Sequence, residues 1–209
     1  MPADDAARGT IAAVAMRFAL IAFLASLSFF HTSEFALAFL YDREHTTARS
    51  WLVSRAYCAA MALAMVEYVI EATLVPQLKE ATWVSLIGLA AVISGESLRK
   101  AAIVTAKANF TQEIQRVRRA NHILVTGGVY RYCRHPAYLG WFVWSVGTQI
   151  LLANPACAVL FAYLAWTFFR DRIPYEEDLL LRFFGDEYAR YAQRTPTWLP
   201  GIPSPVPPR

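Results

Sequence analysis

NHILVTGGVYRYCRHPAYLG, residues 121–140, joins a basic, water-facing stretch to the start of an apolar helix, and its residues are not those of an ordinary connection. Gly127-Gly128 frees the backbone to turn. Tyr130, Arg131, Tyr132 and Arg134 follow, and His135-Pro136-Ala137-Tyr138 sits where the chain enters the membrane. Pro136 suits the first turn of a helix, where its missing N–H costs nothing. A helix N-terminus there offers free N–H groups and a partial positive charge, suited to a carboxylate or phosphate. The stretch reads as a cofactor cradle at a membrane surface.

The composition agrees with a membrane setting. Of 209 residues, 56% are hydrophobic and 14% aromatic, above the usual globular apolar share of ~45–50%, and the excess is gathered in runs. The net charge of +4 is spread over loops that also carry acids. It points to membrane orientation and anionic lipid and gives no ground for nucleic acid as a partner. Cys58, Cys133 and Cys157 are far apart and odd in number, so neither a disulfide framework nor a metal site is expected. Four histidines are too few for a multi-histidine di-iron site. The opening MPADDAARGT is acidic and has no basic n-region, so no signal peptide is expected.

Working outward from the opening stretch, the apolar runs predict about five transmembrane helices, over residues 11–40, 56–75, 82–106, 137–153 and 155–169. The first would be ~45 Å long against a ~30 Å hydrocarbon core, so it must tilt, bend or project. His31 and Glu34 share one face of it, as interfacial residues or as a polar feature facing an internal cavity. Glu67 and Glu71, four apart on the second span, lack local histidines and read as a pair near the far surface, satisfied by water. On the third span Glu96 can pair with Arg99 or Lys100, structurally or as the lining of a site. Gly140 and Gly147 on the fourth permit close helix approach. Arginines concentrate in the loops near residues 41–55 and 107–134, which puts those loops and the C-terminal tail in the cytosol.

In the tail, Pro174 is expected to open an amphipathic helix over residues 174–194. Glu176, Glu177 and Asp178 would occupy its acidic first turn by ordinary dipole preference. Leu179, Leu180, Phe183, Phe184, Tyr188 and Tyr191 would form its apolar face. The final GIPSPVPPR is expected to be irregular. A hairpin of the last two spans sets its cytosolic ends side by side, so His135–Tyr138 should meet Arg170-Asp171-Arg172 and Glu176. That pocket would have an arginine able to hold a carboxylate in a fork, a carboxylate for a cationic group, and aromatic walls. No nucleophile–base pair is visible, Cys133 beside its arginines reads as incidental, and no Walker loop or dinucleotide glycine fingerprint occurs.

RHPAYLGW at 134–141 and RDRIPYEE at 170–177 resemble the protein-S-isoprenylcysteine O-methyltransferase family in its short form. The similarity runs from FFHTSEF (29–35) through GESLRKAA, HILVTGGVYRYCRHPAYLGW and WSVGTQILLANP to FFGDEYARYAQRTP. This breadth makes it specific, because RHPxYxG alone also occurs in membrane phospholipid methyltransferases and sterol reductases. Ala137 stands where serine is frequent.

The resemblance implies one membrane methyltransferase domain over residues 1–209, with the cofactor pocket formed by the loop at 107–136 and the C-terminal helix. It implies S-adenosylmethionine as cofactor and C-terminally prenylated proteins as partners, methylated on the prenylcysteine carboxylate at the endoplasmic reticulum membrane. By similarity, cofactor contacts fall on Gln115, His122, Ile123, Leu124, Val125, Tyr130, His135, Pro136, Ala137, Tyr138 and Glu176. Arg172 would hold the substrate carboxylate, and Arg172 and Glu176 would be the catalytic pair. The rivals are a phospholipid N-methyltransferase, whose amine acceptor would favour acids and a base over Arg172, and a non-catalytic prenyl-protein binder.

Overall fold

Among the described residues every regular element is helical, in agreement with the all-α reading. The computed structural model describes residues 2–202 together with residue 205. The helices are α1 (Pro2–Tyr41), α2 (Arg55–Leu74), the single turn α3 (Gln77–Glu80), α4 (Thr82–Ala106), α5 (Pro136–Leu151), α6 (Pro155–Phe184) and α7 (Asp186–Arg194). Apart from residues 201, 202 and 205, the expected irregular tail falls outside the described residues. Two stretches, Ala13–Tyr41 and Ala48–Leu74, are long and apolar enough to cross a membrane.

The helix ends follow local chemistry. The Ser54 hydroxyl accepts the Tyr57 N–H at 3.1 Å and caps α2. Pro136 opens α5 and Pro155 opens α6, positions where proline gives up no hydrogen bond. Between α5 and α6 the chain turns with Ala153 at φ +52°, and buried charges hold that turn. Lys79 Nζ donates to the carbonyls of Leu152 at 3.0 Å and Ala153 at 2.9 Å, to Asn154 Oδ1 at 2.8 Å and to Glu71 at 2.7 Å. The Glu67 carboxylate accepts the N–H groups of Ala156 at 2.8 Å and Cys157 at 2.7 Å. Glu67 and Glu71 therefore cap the hairpin turn, one at the positive end of α6 and one through Lys79 at the negative end of α5; expecting them to be satisfied by water is wrong.

The packing core is the seam between α4 and α5. A Cβ on Gly95 would lie 2.6 Å from the Gly140 carbonyl oxygen, and one on Gly140 would lie 2.6 Å from the Gly95 oxygen and 2.8 Å from the Arg99 nitrogen. Only two facing glycines let the backbones come so close. Against this seam α1 lays Phe23 and Phe30, and Phe30 stacks on fully buried Trp144 with ring centroids 4.0 Å apart.

The C-terminal third departs from expectation. Pro174 does not open a helix: α6 runs through it to Phe184, and the break comes at Gly185, φ +54°. The proline removes one N–H from the ladder and crowds the preceding turn, but Phe169, Ile173 and Glu177, four apart on one face, are buried. Packing on both sides of residue 174 holds the rod together. With no helix start there, dipole preference does not explain Glu176–Asp178.

Candidate active site

At the start of α5 the backbone is shaped for one purpose. Gly127 is extended and open on all sides, so its freedom is unused, whereas Gly128 has φ +57° and a Cβ there would strike Thr105 Cγ2 at 2.9 Å. The chain then makes a short 3-10 turn over Gly128–Arg131 and enters α5 at Pro136. This folds residues 122–138 back over the ends of α4 and α6.

A cavity lies beneath that fold. Its walls include Gln115, His122, Ile123, Leu124, Val125, Tyr130, His135, Pro136, Ala137, Tyr138 and Glu176, so the structure brings all eleven residues of the family-implied cofactor set to one place. Phe110, Leu180, Phe183, Phe184, Tyr188 and Tyr191 complete it. The loop is tied down at several points. Tyr191 Oη donates to the Tyr130 carbonyl at 2.7 Å, the Ile123 N–H donates to Asn109 Oδ1 at 2.9 Å, and Arg118 Nη1 donates to the Phe183 carbonyl at 2.8 Å. On this lining the buried His122 Nδ1 has no hydrogen-bond partner among the described residues, while the buried Tyr188 hydroxyl lies close to Glu177. A buried atom without a partner costs free energy unless a ligand or water satisfies it. Burial first, then the charges of Arg119 and Arg118, holds His122 below its ordinary pKa, so the ring is neutral at pH 7.

Arg172 stands just outside that lining and meets it at one atom. Its Nε donates to the Tyr138 hydroxyl at 2.9 Å and its Nη2 to the Gln112 carbonyl at 2.9 Å. The guanidinium also lies over the rings of Tyr138 and Phe168, 5.4 Å and 5.6 Å from their centroids. The same Tyr138 hydroxyl donates to Glu176 Oε2 in a short hydrogen bond. A cation and a carboxylate thus share one phenol, and Nη1 of Arg172 is uncommitted among the described residues.

Two buried charge clusters lie behind this surface; sequence reasoning missed the first and left the second as one of two readings. Glu177, fully buried, accepts from Arg134 Nε at 2.7 Å and Nη2 at 3.3 Å, and pairs with His135 Nε2 at 3.0 Å. Arg134 Nη1 continues to the carbonyls of Ala192 and Thr195, closing the end of α7. Burial pushes the Glu177 carboxyl up, but His135 and then Arg134 outweigh it and hold the group below its usual range. One signal was available: three successive acids on a helix sweep ~200° of its circumference, so one of Glu176, Glu177 and Asp178 could turn inward.

The second cluster centres on Glu34. It takes a fork from Arg99, Nε at 2.8 Å and Nη2 at 2.7 Å, and a third donor from Lys100 at 2.6 Å. Arg99 Nη1 donates to the Ala137 carbonyl at 3.1 Å, and Gln112 Nε2 reaches Glu34 at 3.4 Å. The internal reading of Glu34 is therefore the right one, and Arg99 pairs across to α1 while Glu96 pairs with Lys100 at 3.0 Å. His31 instead contacts the Trp51 carbonyl and the Tyr57 hydroxyl. Cys133 is buried with its thiol pushed up to about 11, which removes it as a nucleophile.

Known proteins resemble this chain in sequence and fold. The family profile described as isoprenylcysteine carboxyl methyltransferase matches residues 86–182. Protein-S-isoprenylcysteine O-methyltransferase B of Arabidopsis thaliana is 48% identical over 178 residues, 85% of this chain and 90% of the relative. The chain belongs to the isoprenylcysteine carboxyl methyltransferase family. The mouse (Mus musculus) protein-S-isoprenylcysteine O-methyltransferase is 44% identical over 182 residues, 86% of this chain and 64% of its own length. A solved structure of the family, a eukaryotic intramembrane Ras methyltransferase without a monobody, superposes with a TM-score of 0.84 at 41% identity, over 86% of this chain and 65% of that one. With an intramembrane relative this similar and two helices of spanning length and apolarity, the chain is a membrane protein of this family.

Proposed function

We propose that the chain methylates the C-terminal carboxylate of S-prenylcysteine on prenylated proteins, with S-adenosylmethionine as donor. The observation that carries this is the shared Tyr138 hydroxyl, where an acceptor-side guanidinium and a cofactor-side carboxylate meet. The lining has the chemistry for the donor: aromatic walls, the Glu176 carboxylate for a cationic group, and the His122 Nδ1 atom without a partner among the described residues. The residues that would hold it are Gln115, His122–Val125, Tyr130, His135–Tyr138 and Glu176. When bound, S-adenosylmethionine supplies an electrophilic methyl, and transfer forms one O–C bond on the carboxylate as the S–C bond breaks with its electron pair leaving on sulfur.

The protein's part is positioning, which can supply up to ~7–11 kcal/mol of barrier lowering. A carboxylate is already a nucleophile at neutral pH, so no base is required. Arg172 orients the carboxylate through Nη1 while its other edges stay on Tyr138 and Gln112. A guanidinium already engaged on two sides holds the carboxylate at one point and does not quench it in a full fork. The carboxylate would be reached from the cytosolic face of the endoplasmic reticulum membrane, with about five spans and the isoprenoid among the apolar helices.

The test offers the purified protein in lipid N-acetyl-S-farnesylcysteine beside phosphatidylethanolamine, with methyl-labelled S-adenosylmethionine. Base-labile label on the farnesylcysteine is the expected result. Label confined to the lipid would assign the chain to N-methylation, and bound cofactor with no label on either would make it a binding protein.

A further inference from the structure

A second cavity, of about 740 Å³, opens between the end of α1, the segment from Asp42 to Leu52, and the loop after α4. It shares three wall residues, Phe110, Thr111 and Gln115, with the cofactor cavity. Ten of the eleven family-implied cofactor residues are absent from its walls, so it is not a lobe for the donor. Its lining is mixed: Leu37, Leu52 and Ile103 are apolar, while Thr47, Ser50 and Gln112 offer hydroxyls and an amide, with charged groups among the remaining residues. An isoprenoid would match only the apolar part of this wall and would leave the hydroxyls and amides without replacement hydrogen bonds, whereas a peptide has groups for both.

The acceptor has a third part besides carboxylate and lipid: the polypeptide that precedes the cysteine. Gln112 marks the connection. Its carbonyl holds Arg172 Nη2 at 2.9 Å, whereas its side-chain amide faces the cavity wall, donating to the Ser50 carbonyl at 3.3 Å and Glu34 at 3.4 Å. For a C-terminal carboxylate placed on Arg172, this space lies within one residue's reach, on the other side of Gln112. The volume lies within the ~300–1,000 Å³ of cavities that enclose small ligands, enough for a short peptide segment. From this geometry, and resting on the methyltransferase reading above, we infer that the cavity is a subsite for the polypeptide immediately upstream of the modified cysteine. The chain is bound there by its backbone amides and small polar side chains.

The test compares N-acetyl-S-farnesylcysteine with a farnesylated pentapeptide ending in the same cysteine. Ala48→Trp, which places an indole on the cavity wall, should lower the ratio of kcat/KM for peptide over small acceptor by roughly tenfold, the change that ~1.4 kcal/mol of lost binding produces. An unchanged ratio overturns the inference while leaving the reaction intact; loss of methyl ester on both acceptors in the unaltered protein would instead sink the reaction itself. The unaltered protein gives a second reading that needs no variant. A pentapeptide with benzoylphenylalanine two residues before the cysteine should cross-link to residues 42–52 or 110–115, and labelling confined to other segments overturns the subsite.

Discussion

Tyr138 is the residue at which two opposite charges meet, Arg172 through Nε and Glu176 through Oε2, and the proposed reaction gives each a separate readout. Arg172→Ala removes the guanidinium whose Nη1 is uncommitted among the described residues and which, on the proposed reading, orients the acceptor. Turnover of N-acetyl-S-farnesylcysteine should fall by about two orders of magnitude, the loss that misplacing a reactant by ~1 Å produces. Glu176→Ala should show itself chiefly in the KM for S-adenosylmethionine, and steady-state kinetics on both substrates separates the two. Normal rates from either folded variant would remove that residue from the mechanism. His122 supplies a pH signature. Its pKa is held below the ordinary 6.5, so the ring stays neutral down to that pH and then gains a proton as the medium becomes more acidic. Protonation makes both ring nitrogens donors and adds positive charge beside a cationic ligand. Calorimetric affinity for S-adenosylmethionine should be flat from pH 8 to 6.5 and fall below it, with the fall absent in His122→Gln.

At the scale of elements, the seam between α4 and α5 sets what the site can tolerate. Gly140→Val would push its side chain into the Gly95 oxygen and the Arg99 backbone. Overpacking of this kind costs about 1–3 kcal/mol or more, and the helices must part to relieve it. Because Arg99 also donates to the Ala137 carbonyl, parting them drags the start of α5 away from the Glu34 cluster. Thermal unfolding in detergent should show a lowered midpoint, and the fraction still folded should bind the cofactor more weakly. Gly127→Val is the matched control, since nothing lies within 4 Å of a Cβ there; equal effects from the two would mean the seam is not what positions the turn.

Across the whole molecule, what the sequence discloses and what it hides divide along chain separation. The all-α class, the helix opened by Pro136 and the meeting of residues 135–138 with Arg172 and Glu176 follow from local patterns and from one hairpin. The Glu34–Arg99 fork and the Arg134–Glu177 pair join residues 65 and 43 positions apart, and nothing local says which buried charges will meet. Pro174 misleads for a related reason: its local preference is real, and burial of Ile173 and Glu177 overrides it. The Glu67 and Lys79 caps on the α5–α6 turn have one more consequence, which is mechanical. Arg172 stands 17 residues along α6 from Pro155, a lever arm of ~26 Å at ~1.5 Å per residue. A tilt of ~2° about the turn would swing the guanidinium by ~1 Å, enough to cost about a hundredfold in rate. The far end of the molecule, where no chemistry happens, is therefore the fulcrum that sets aim at the end where it does.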